Sequence, residues 1–290
     1  MDKVYTLSDL NSMELAQYPL AVFGKPIAHS LSPLMQNAAL VELAKTDAKF
    51  SAWRYYKFEI DPQDLPEALR AFHARNFQGI NLTIPHKEIV FGHLENADDF
   101  ARLAGAANTL LRAPTGWCGA NTDGFGLAKA IENFSGRTFD SADVLVLGAG
   151  GAARAAVFYA LLNGARSVQI LNRTKLKAQC IIEEAQHAGF KNVGELSEIA
   201  PASIVINATS IGLKKDDAPV LDFRTLPKDC VFFDMPYIKN SETSSVLAAR
   251  ECGIVAASGL PMLAWQGAKS LSLWTGVPKI YGDLMLTALL

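Results

Sequence analysis

The stretch from Val144 to Ala153 constrains this chain more than any other. Four apolar residues, Val144-Leu145-Val146-Leu147, run straight into Gly148-Ala149-Gly150-Gly151-Ala152-Ala153, and a helical pattern follows that stops at Asn163-Gly164. A continuous apolar run bounded by glycine reads as a strand buried on both faces, and a strand turning into a helix over GxGxxA reads as the start of a doubly wound unit. The first glycine, Gly148, permits the tight turn. Gly150 lets the backbone approach a pyrophosphate, and the small Ala153 lets the helix pack on the strand while helix N–H groups face the anion. A glycine turn serving packing alone is the other reading of the same residues.

The residues after the next strand decide which dinucleotide is expected. An NAD site wants a carboxylate about 20 residues on, to accept bonds from the ribose hydroxyls. Instead the chain has Asn172-Arg173-Thr174-Lys175, with Lys177 one turn later. A guanidinium, a hydroxyl and ammonium groups suit a 2'-phosphate that a carboxylate would repel, so the expected cofactor is NADP. A merely solvated basic loop is the alternative.

Strands are predicted at Val168 to Leu171, Ile204 to Ala208, Val231 to Met235 and Ile254 to Ala256, with a helix from Leu176 to Ala188. The first half alternates in the same way. Leu20 to Gly24 is a short apolar run, Ser32-Pro33 reads as an N-cap and first turn, and Ser51 to Ile60 is strand-like. Asp61-Pro62 opens a helix with Leu65, Leu69 and Phe72 on one face, and Gly79 to Thr83 is extended again. The expected fold class is therefore α/β, two doubly wound domains with mostly parallel sheets, the boundary lying near Gly124 to Ser141. The final apolar helices, from Pro261 onward, fit either domain.

Composition narrows the partners. Among 290 residues, 27 basic and 29 acidic side chains nearly cancel, so no global field favours nucleic acid or acidic lipid. Cys118, Cys180, Cys230 and Cys252 lie far apart with no histidine at a ligand spacing, which predicts neither a metal site nor a disulfide framework. Acidic residues interrupt the first twenty positions, and no long apolar run follows, so the expectation is a soluble, cytoplasmic protein without membrane partners.

Several polar residues fall where strand-to-helix loops should converge: Ser30, Ser32, Asn81, Thr83 and Lys87, then Asn108-Thr109 and Asn121-Thr122-Asp123-Gly124. Asn81 and Thr83 share a face, and together the group suits a polyol. Singly, Ser32 is equally an N-cap, Asn81 a turn former, Lys87 a surface lysine and Asn121 to Gly124 an Asx turn.

The order of these segments resembles the shikimate dehydrogenase family from about Tyr18 to the last helix. The similar segments are Gly24-Lys-Pro-Ile-Ala-His-Ser-Leu-Ser-Pro33, Asn81-Leu-Thr-Ile-Pro-His-Lys87, Ala104-Gly-Ala-Ala-Asn-Thr-Leu110, Asn121-Thr-Asp-Gly124, Gly148-Ala-Gly-Gly-Ala-Ala-Arg154, Asn172-Arg-Thr174, Asn207-Ala-Thr-Ser-Ile-Gly212, and Gly259-Leu-Pro-Met-Leu263 with Trp265-Gln266. The resemblance implies reversible NADPH-linked reduction of 3-dehydroshikimate to shikimate, in aromatic amino-acid biosynthesis.

It also implies a substrate-binding domain over 1–125 completed by about 262–290, and a Rossmann NADP-binding domain over 126–261, with the C-terminal helix returning to the first domain. Lys87 and Asp123 correspond to the catalytic pair. Ser30, Ser32 and Tyr237 would meet the substrate carboxylate, and Thr83, Asn108, Asp123 and Gln266 the ring hydroxyls with Lys87. Gly150, Gly151 and Ala152 would lie at the pyrophosphate, Asn172, Arg173, Thr174 and Lys177 around the adenosine phosphate, and Met235, Gly259 and Met262 near the nicotinamide. The chain departs from the family at Asn240-Ser-Glu-Thr-Ser-Ser-Val246, where Thr-Pro-Leu is usual, and in a longer leader, Met1 to Gln17, which reads as a loose tail or an extra contact surface. A dehydrogenase that also accepts quinate is the nearest alternative, and a non-catalytic NADP-binding regulator the remote one. Either a monomer or a homodimer is compatible with the sequence.

Overall fold

In the computed structural model, which describes residues 3–196, 202–214 and 216–290, the chain divides into two units, Met1–Gly126 with Leu263–Leu290, and Leu127–Met262. The first unit runs through β1 (Val4–Thr6), β2 (Tyr18–Gly24), α1 (Ser32–Thr46), β3 (Trp53–Glu59), α2 (Leu65–Ala74), β4 (Gly79–Leu82), α3 (His86–Ile89), β5 (Asn96–Ala97), α4 (Asp99–Ala104), β6 (Thr109–Arg112) and β7 (Trp117–Ala120). Next comes α5 (Asp123–Ser135), within which the division falls, and Gly136 ends that helix at φ +70°. The second unit holds β8 (Asp143–Leu147), α6 (Gly151–Leu162), β9 (Ser167–Leu171), α7 (Lys175–His187), β10 (Val193–Glu195), β11 (Ile204–Asn207), β12 (Val231–Asp234), α8 (Ser244–Glu251) and β13 (Val255–Ser258). The chain closes with α9 (Leu260–Thr275) and α10 (Gly282–Leu289), which rejoin the first unit from Leu263.

Among the described residues the first unit forms one sheet in the order β1-β3-β2-β4-β6-β7-β5. Every pairing is parallel except the two made by β6, which runs antiparallel to β4 and β7. Successive residues of β2 alternate between two cores, Ala21 and Phe23 on one face, Leu20 and Val22 on the other. Phe23, Phe58, Phe72 and Phe77 fill the first core edge to face, Phe23 and Phe72 with ring centroids 4.6 Å apart. Each buried ring contributes roughly 1.5–3 kcal/mol. The second core packs α1 against α9 and α10 through Met35, Leu40, Ala264, Leu271 and Met285. This packing places the C-terminal helices in the first unit.

The leader corrects its sequence reading. From residue 3 it is no loose tail, because β1 pairs with β3 and Leu10 is buried. Its apolar content was disguised by the charges between. The strand expected from Ser51 starts at Trp53, since Asp47 accepts a bond from Lys49 N and sets residues 48–52 in a 3-10 turn. Ser32 is not the N-cap either. Leu31 takes that position, and the Ser30 hydroxyl accepts from Ser32 N at 3.3 Å.

All pairings in the second unit are parallel, in the order β10-β9-β8-β11-β12-β13. Counted within the unit this is 3-2-1-4-5-6, the dinucleotide-binding order whose switch point lies between the first and fourth strands. Ala153, Ala156 and Ala160 are fully buried on α6, and their small size lets it lie close on the sheet.

Candidate active site

The strand directions of the first unit bring distant polar segments to one edge of the sheet. β2, β4 and β7 all end there, and β6, being antiparallel, begins there: Asn81 stands opposite Thr109, and Thr109 opposite Ala120. The turn after β2 carries Ser30 and Ser32, the end of β4 carries Asn81 and Thr83, and the end of β7 leads to Asn121, Thr122 and Asp123. The carboxyl edge of such a sheet is where ligands bind.

Asn108 ties these segments together and is 2% exposed. Its amide nitrogen donates to Asp123 Oδ1 at 2.8 Å, Thr122 Oγ1 at 3.0 Å and Gln266 Oε1 at 3.2 Å. The amide oxygen accepts from Thr122 N at 2.8 Å and from the Thr109 hydroxyl at 3.0 Å. Behind it, Asn81 donates to Asn108 O and to Ser270 Oγ, each at 3.0 Å. Gln266, Ser270 and Trp274 recur every four residues, so one face of α9 supplies all three. Trp274 fixes that face by donating to Leu110 O at 2.9 Å and covering Gly79, where a Cβ would lie 2.1 Å from the indole nitrogen.

Lys87 and Asp123 meet at the rim of this network. Lys87 Nζ donates to Asp123 Oδ2 at 2.8 Å, with the two side chains 30% and 16% exposed. Asp123 is doubly fixed, by Asn108 on its other oxygen and by its own N–H, which donates to Asn121 Oδ1 at 2.9 Å in an Asx turn. The Asx reading of Asn121 was therefore correct, and the turn serves the carboxylate. Lys87 is the second residue of α3, whose first, His86, is fully buried with Nε2 on Ile60 O at 2.9 Å. Burial holds the His86 imidazole below its ordinary pKa, so it is a neutral strap.

Thr83 follows β4, its N–H donating to Phe23 O, and its carbonyl accepts from His86 N, each at 2.9 Å. Ser32 joins the network through Tyr55, whose phenol donates to Asn81 Oδ1 at 2.8 Å and has the Ser32 hydroxyl as a second partner. Burial raises the Tyr55 pKa well above its ordinary value and keeps it a donor. The first unit thus gathers Ser30, Ser32, Thr83, Lys87, Asn108, Asp123 and Gln266. Tyr55, Lys57 and Ser270 were not anticipated, and Thr109 and Thr122 were named only as members of the polar segments Asn108-Thr109 and Asn121 to Gly124. Tyr55 and Lys57 are two apart in a strand, a period-2 polar signal available in the sequence but hidden among aromatics.

In the second unit, Gly148 has φ +109°, and a Cβ there would press on Ala208 O and Thr209 at 3.1 Å. At Gly150 the position of a Cβ is open space, and Gly151 and Ala152 are exposed at the start of α6. After β9, Asn172 donates to Thr174 O at 2.8 Å, which shapes the turn, and Arg173, Thr174 and Lys177 are exposed. Among the described residues, neither Arg173 nor Lys177 has an ion-pair partner. An open glycine turn at a helix start beside two uncommitted cations fits a dinucleotide with an extra phosphate. Met235 follows β12, and Gly259 crosses so near it that a Cβ would lie 1.9 Å from Met235 O. Met262, half-buried, stands in the first turn of α9, and Tyr237 is half-buried in this second unit with its phenol pKa raised by burial.

Beneath Met235, Asp234 is fully buried, accepting from Asn207 Nδ2 at 2.6 Å and Thr243 Oγ1 at 2.5 Å. Burial pushes its carboxyl up to about 6. Asn207 in turn accepts from the Thr209 N–H and hydroxyl, which folds the Asn207 to Gly212 turn. Thr243 also caps α8, so the departure at residues 240–246 keeps a hydroxyl on Asp234. Among the described residues no cluster of His, Cys, Asp and Glu could hold a metal, and no helix is long and apolar enough to cross a membrane.

Comparison with known proteins places these features in one group. The shikimate dehydrogenase substrate binding domain matches residues 22–110, and the shikimate / quinate 5-dehydrogenase domain matches residues 127–234. The chain is 38% identical over 261 residues to the shikimate dehydrogenase (NADP(+)) of Aquifex aeolicus, covering 90% of this chain and 92% of that one. The shikimate 5-dehydrogenase of Thermus thermophilus, solved in complex with NADP(H) and shikimate, superposes with a TM-score of 0.81 at 33% identity, covering 94% and 98% of the two chains. A 5-ketofructose reductase of a Gluconobacter species superposes equally well, with a TM-score of 0.83 at 28% identity over 94% and 97%. Likeness of fold therefore spans different substrates, and the substrate has to be argued from residues.

Proposed function

Because the chain belongs to the shikimate dehydrogenase family, we propose that it catalyses the reversible NADP-linked reduction of 3-dehydroshikimate to shikimate, with Lys87 and Asp123 as its catalytic pair. The observation that carries this reading is the Lys87–Asp123 contact at 2.8 Å, held by Asn108 at the carboxyl edge of the sheet. NADPH, when bound, supplies the hydride.

As the carbonyl carbon is reduced, negative charge grows on its oxygen. The Lys87 ammonium stabilises that charge and delivers the proton. Asp123 orients the ammonium, and because its other oxygen is taken by Asn108 it offers Lys87 one fixed direction. The remaining polar groups hold the ring. Ser30, Ser32 and Tyr237 bind the carboxylate, and Thr83, Asn108 and Gln266 the hydroxyls. Gly150, Gly151 and Ala152 would hold the pyrophosphate, Asn172, Arg173, Thr174 and Lys177 the adenosine phosphate, and Met235, Gly259 and Met262 the nicotinamide.

The test is NADP reduction with shikimate, followed by NADPH absorbance, with quinate and NAD as parallel substitutions. Turnover confined to shikimate with NADP is expected. Lys87→Met should lower kcat by about 10²–10⁴ with NADP affinity retained. Near-normal turnover would remove Lys87 from the chemistry.

A further inference from the structure

Lys57 is the charge in the first unit that the preceding roles leave unexplained. It is 5% exposed, and among the described residues its single hydrogen bond is from Nζ to Ala28 O at 3.0 Å. None of the described carboxylates pairs with it. Glu59, the next residue on the same face of β3, turns its Oε2 to Ile27 N at 3.4 Å instead. Nearby, the exposed Lys25 does find a partner, Asp61. An ammonium has three donors, and a buried one with a lone neutral acceptor is strongly disfavoured unless something else supplies the missing charge.

Its position says what that is. Lys57 and Tyr55 share one face of β3, and Tyr55 reaches Ser32 and Asn81. Ala28 lies inside the turn closed by Ser30 N on Ile27 O at 3.0 Å, and Ser30 Oγ then accepts from Ser32 N. The ammonium is thus bonded to the backbone of the turn that presents both serine hydroxyls.

We infer that Lys57 is the fixed counter-charge of the carboxylate subsite, its free donors and its charge making the Ser30/Ser32 turn select a ring acid over the neutral form of the same ring. The inference rests on the carboxylate reading given above and deepens it. Serine hydroxyls serve an acid and an ester about equally, whereas a buried ammonium tells them apart, and burial keeps that preference largely immune to salt.

The experiment compares shikimate with its methyl ester in the full-length wild type and in Lys57→Met, which fills the same space without charge. In Lys57→Met, kcat/KM for shikimate should fall about 10- to 100-fold, mainly through KM, while the ester changes little. Lys57→Arg should recover part of the loss. Equal losses for acid and ester would make Lys57 a structural strap on Ala28, and no loss would also overturn the inference. Should Lys57→Met fail to fold, the wild type still decides, because an ester that binds as tightly as the acid excludes a counter-charge. Absence of wild-type turnover on shikimate would instead refute the substrate reading itself.

Discussion

Replacing Asn108 by Asp changes one atom type and no shape, so its consequences can be worked out bond by bond. The amide oxygen keeps its bonds from Thr122 N and Thr109 Oγ1, but the nitrogen that donated to Asp123 Oδ1 at 2.8 Å becomes a second carboxylate oxygen. Two unit charges at that separation repel by about 6 kcal/mol at an effective dielectric of about 20. The pair avoids this by keeping one proton, as two carboxylates sharing a site do. Retaining a proton costs about 1.4 kcal/mol for each pH unit above the ordinary carboxylate pKa near 4, or about 5 kcal/mol around pH 7.5.

The sign comes from proton counting. The folded variant binds a proton that its unfolded chain releases, so its stability relative to wild type is best in acid and falls as pH rises. Urea unfolding of both proteins between about pH 5 and pH 8 should show a gap that widens by about 1.4 kcal/mol per pH unit. Rotation of the Gln266 amide relieves part of it, at the loss of its 2.9 Å bond to Leu263 O, worth about 1 kcal/mol. A gap that stays constant with pH would show that Asn108 does not donate to Asp123, and the argument for a locked pair would fail.

Arg173→Ala should weaken NADPH binding about 10- to 100-fold and leave NADH binding nearly unchanged, as read by fluorescence titration; equal losses would assign Arg173 elsewhere. Gly259→Ala puts a Cβ 1.9 Å from Met235 O, and forcing the backbones apart should cost about 1–3 kcal/mol, seen as a lower melting temperature and weaker cofactor binding. Asp234, with its carboxyl raised to about 6, binds an extra proton when folded. The stability of wild type over Asp234→Asn should therefore be greatest near pH 4 and shrink by about 3 kcal/mol as pH passes above 6. A difference that grows with pH would contradict the buried, raised carboxyl.

The second unit was legible because its central strands β8, β11 and β12 are covered on both faces and so read as apolar runs, with a positive-φ glycine, Gly148, directly after the first of them. Its edge strand β10, three residues of Val-Gly-Glu with one buried, carried no such signal. In the first unit β6 and β7 were invisible for a different reason. Thr109-Leu-Leu-Arg and Trp117-Cys-Gly-Ala are four residues each, too short for either pattern to show, and the pairing of β6 with β4 is decided by a partner far off in sequence. Spacing alone brought Ser30, Ser32, Thr83 and Lys87 under suspicion, whereas Gln266 entered only through resemblance. Thr109, Thr122 and Ser270 are small hydroxyls whose roles exist only after the strands and α9 meet.

That meeting explains why the reversed strand matters. In an all-parallel sheet, only residues that follow strands reach the carboxyl edge; reversing β6 delivers the residue that precedes one, Asn108, between the ends of β4 and β7. A single side chain there can bond to Thr122, Asp123 and Gln266 at once, so strand pairing joins the Asn121 turn in setting the direction of the Asp123 carboxylate. The same network extends through Gln266 into α9, whose seat is set by Trp274 over Gly79. A side chain added at Gly79 would displace the indole, shift Gln266 and loosen Asn108, and so disturb the Lys87–Asp123 pair without touching substrate.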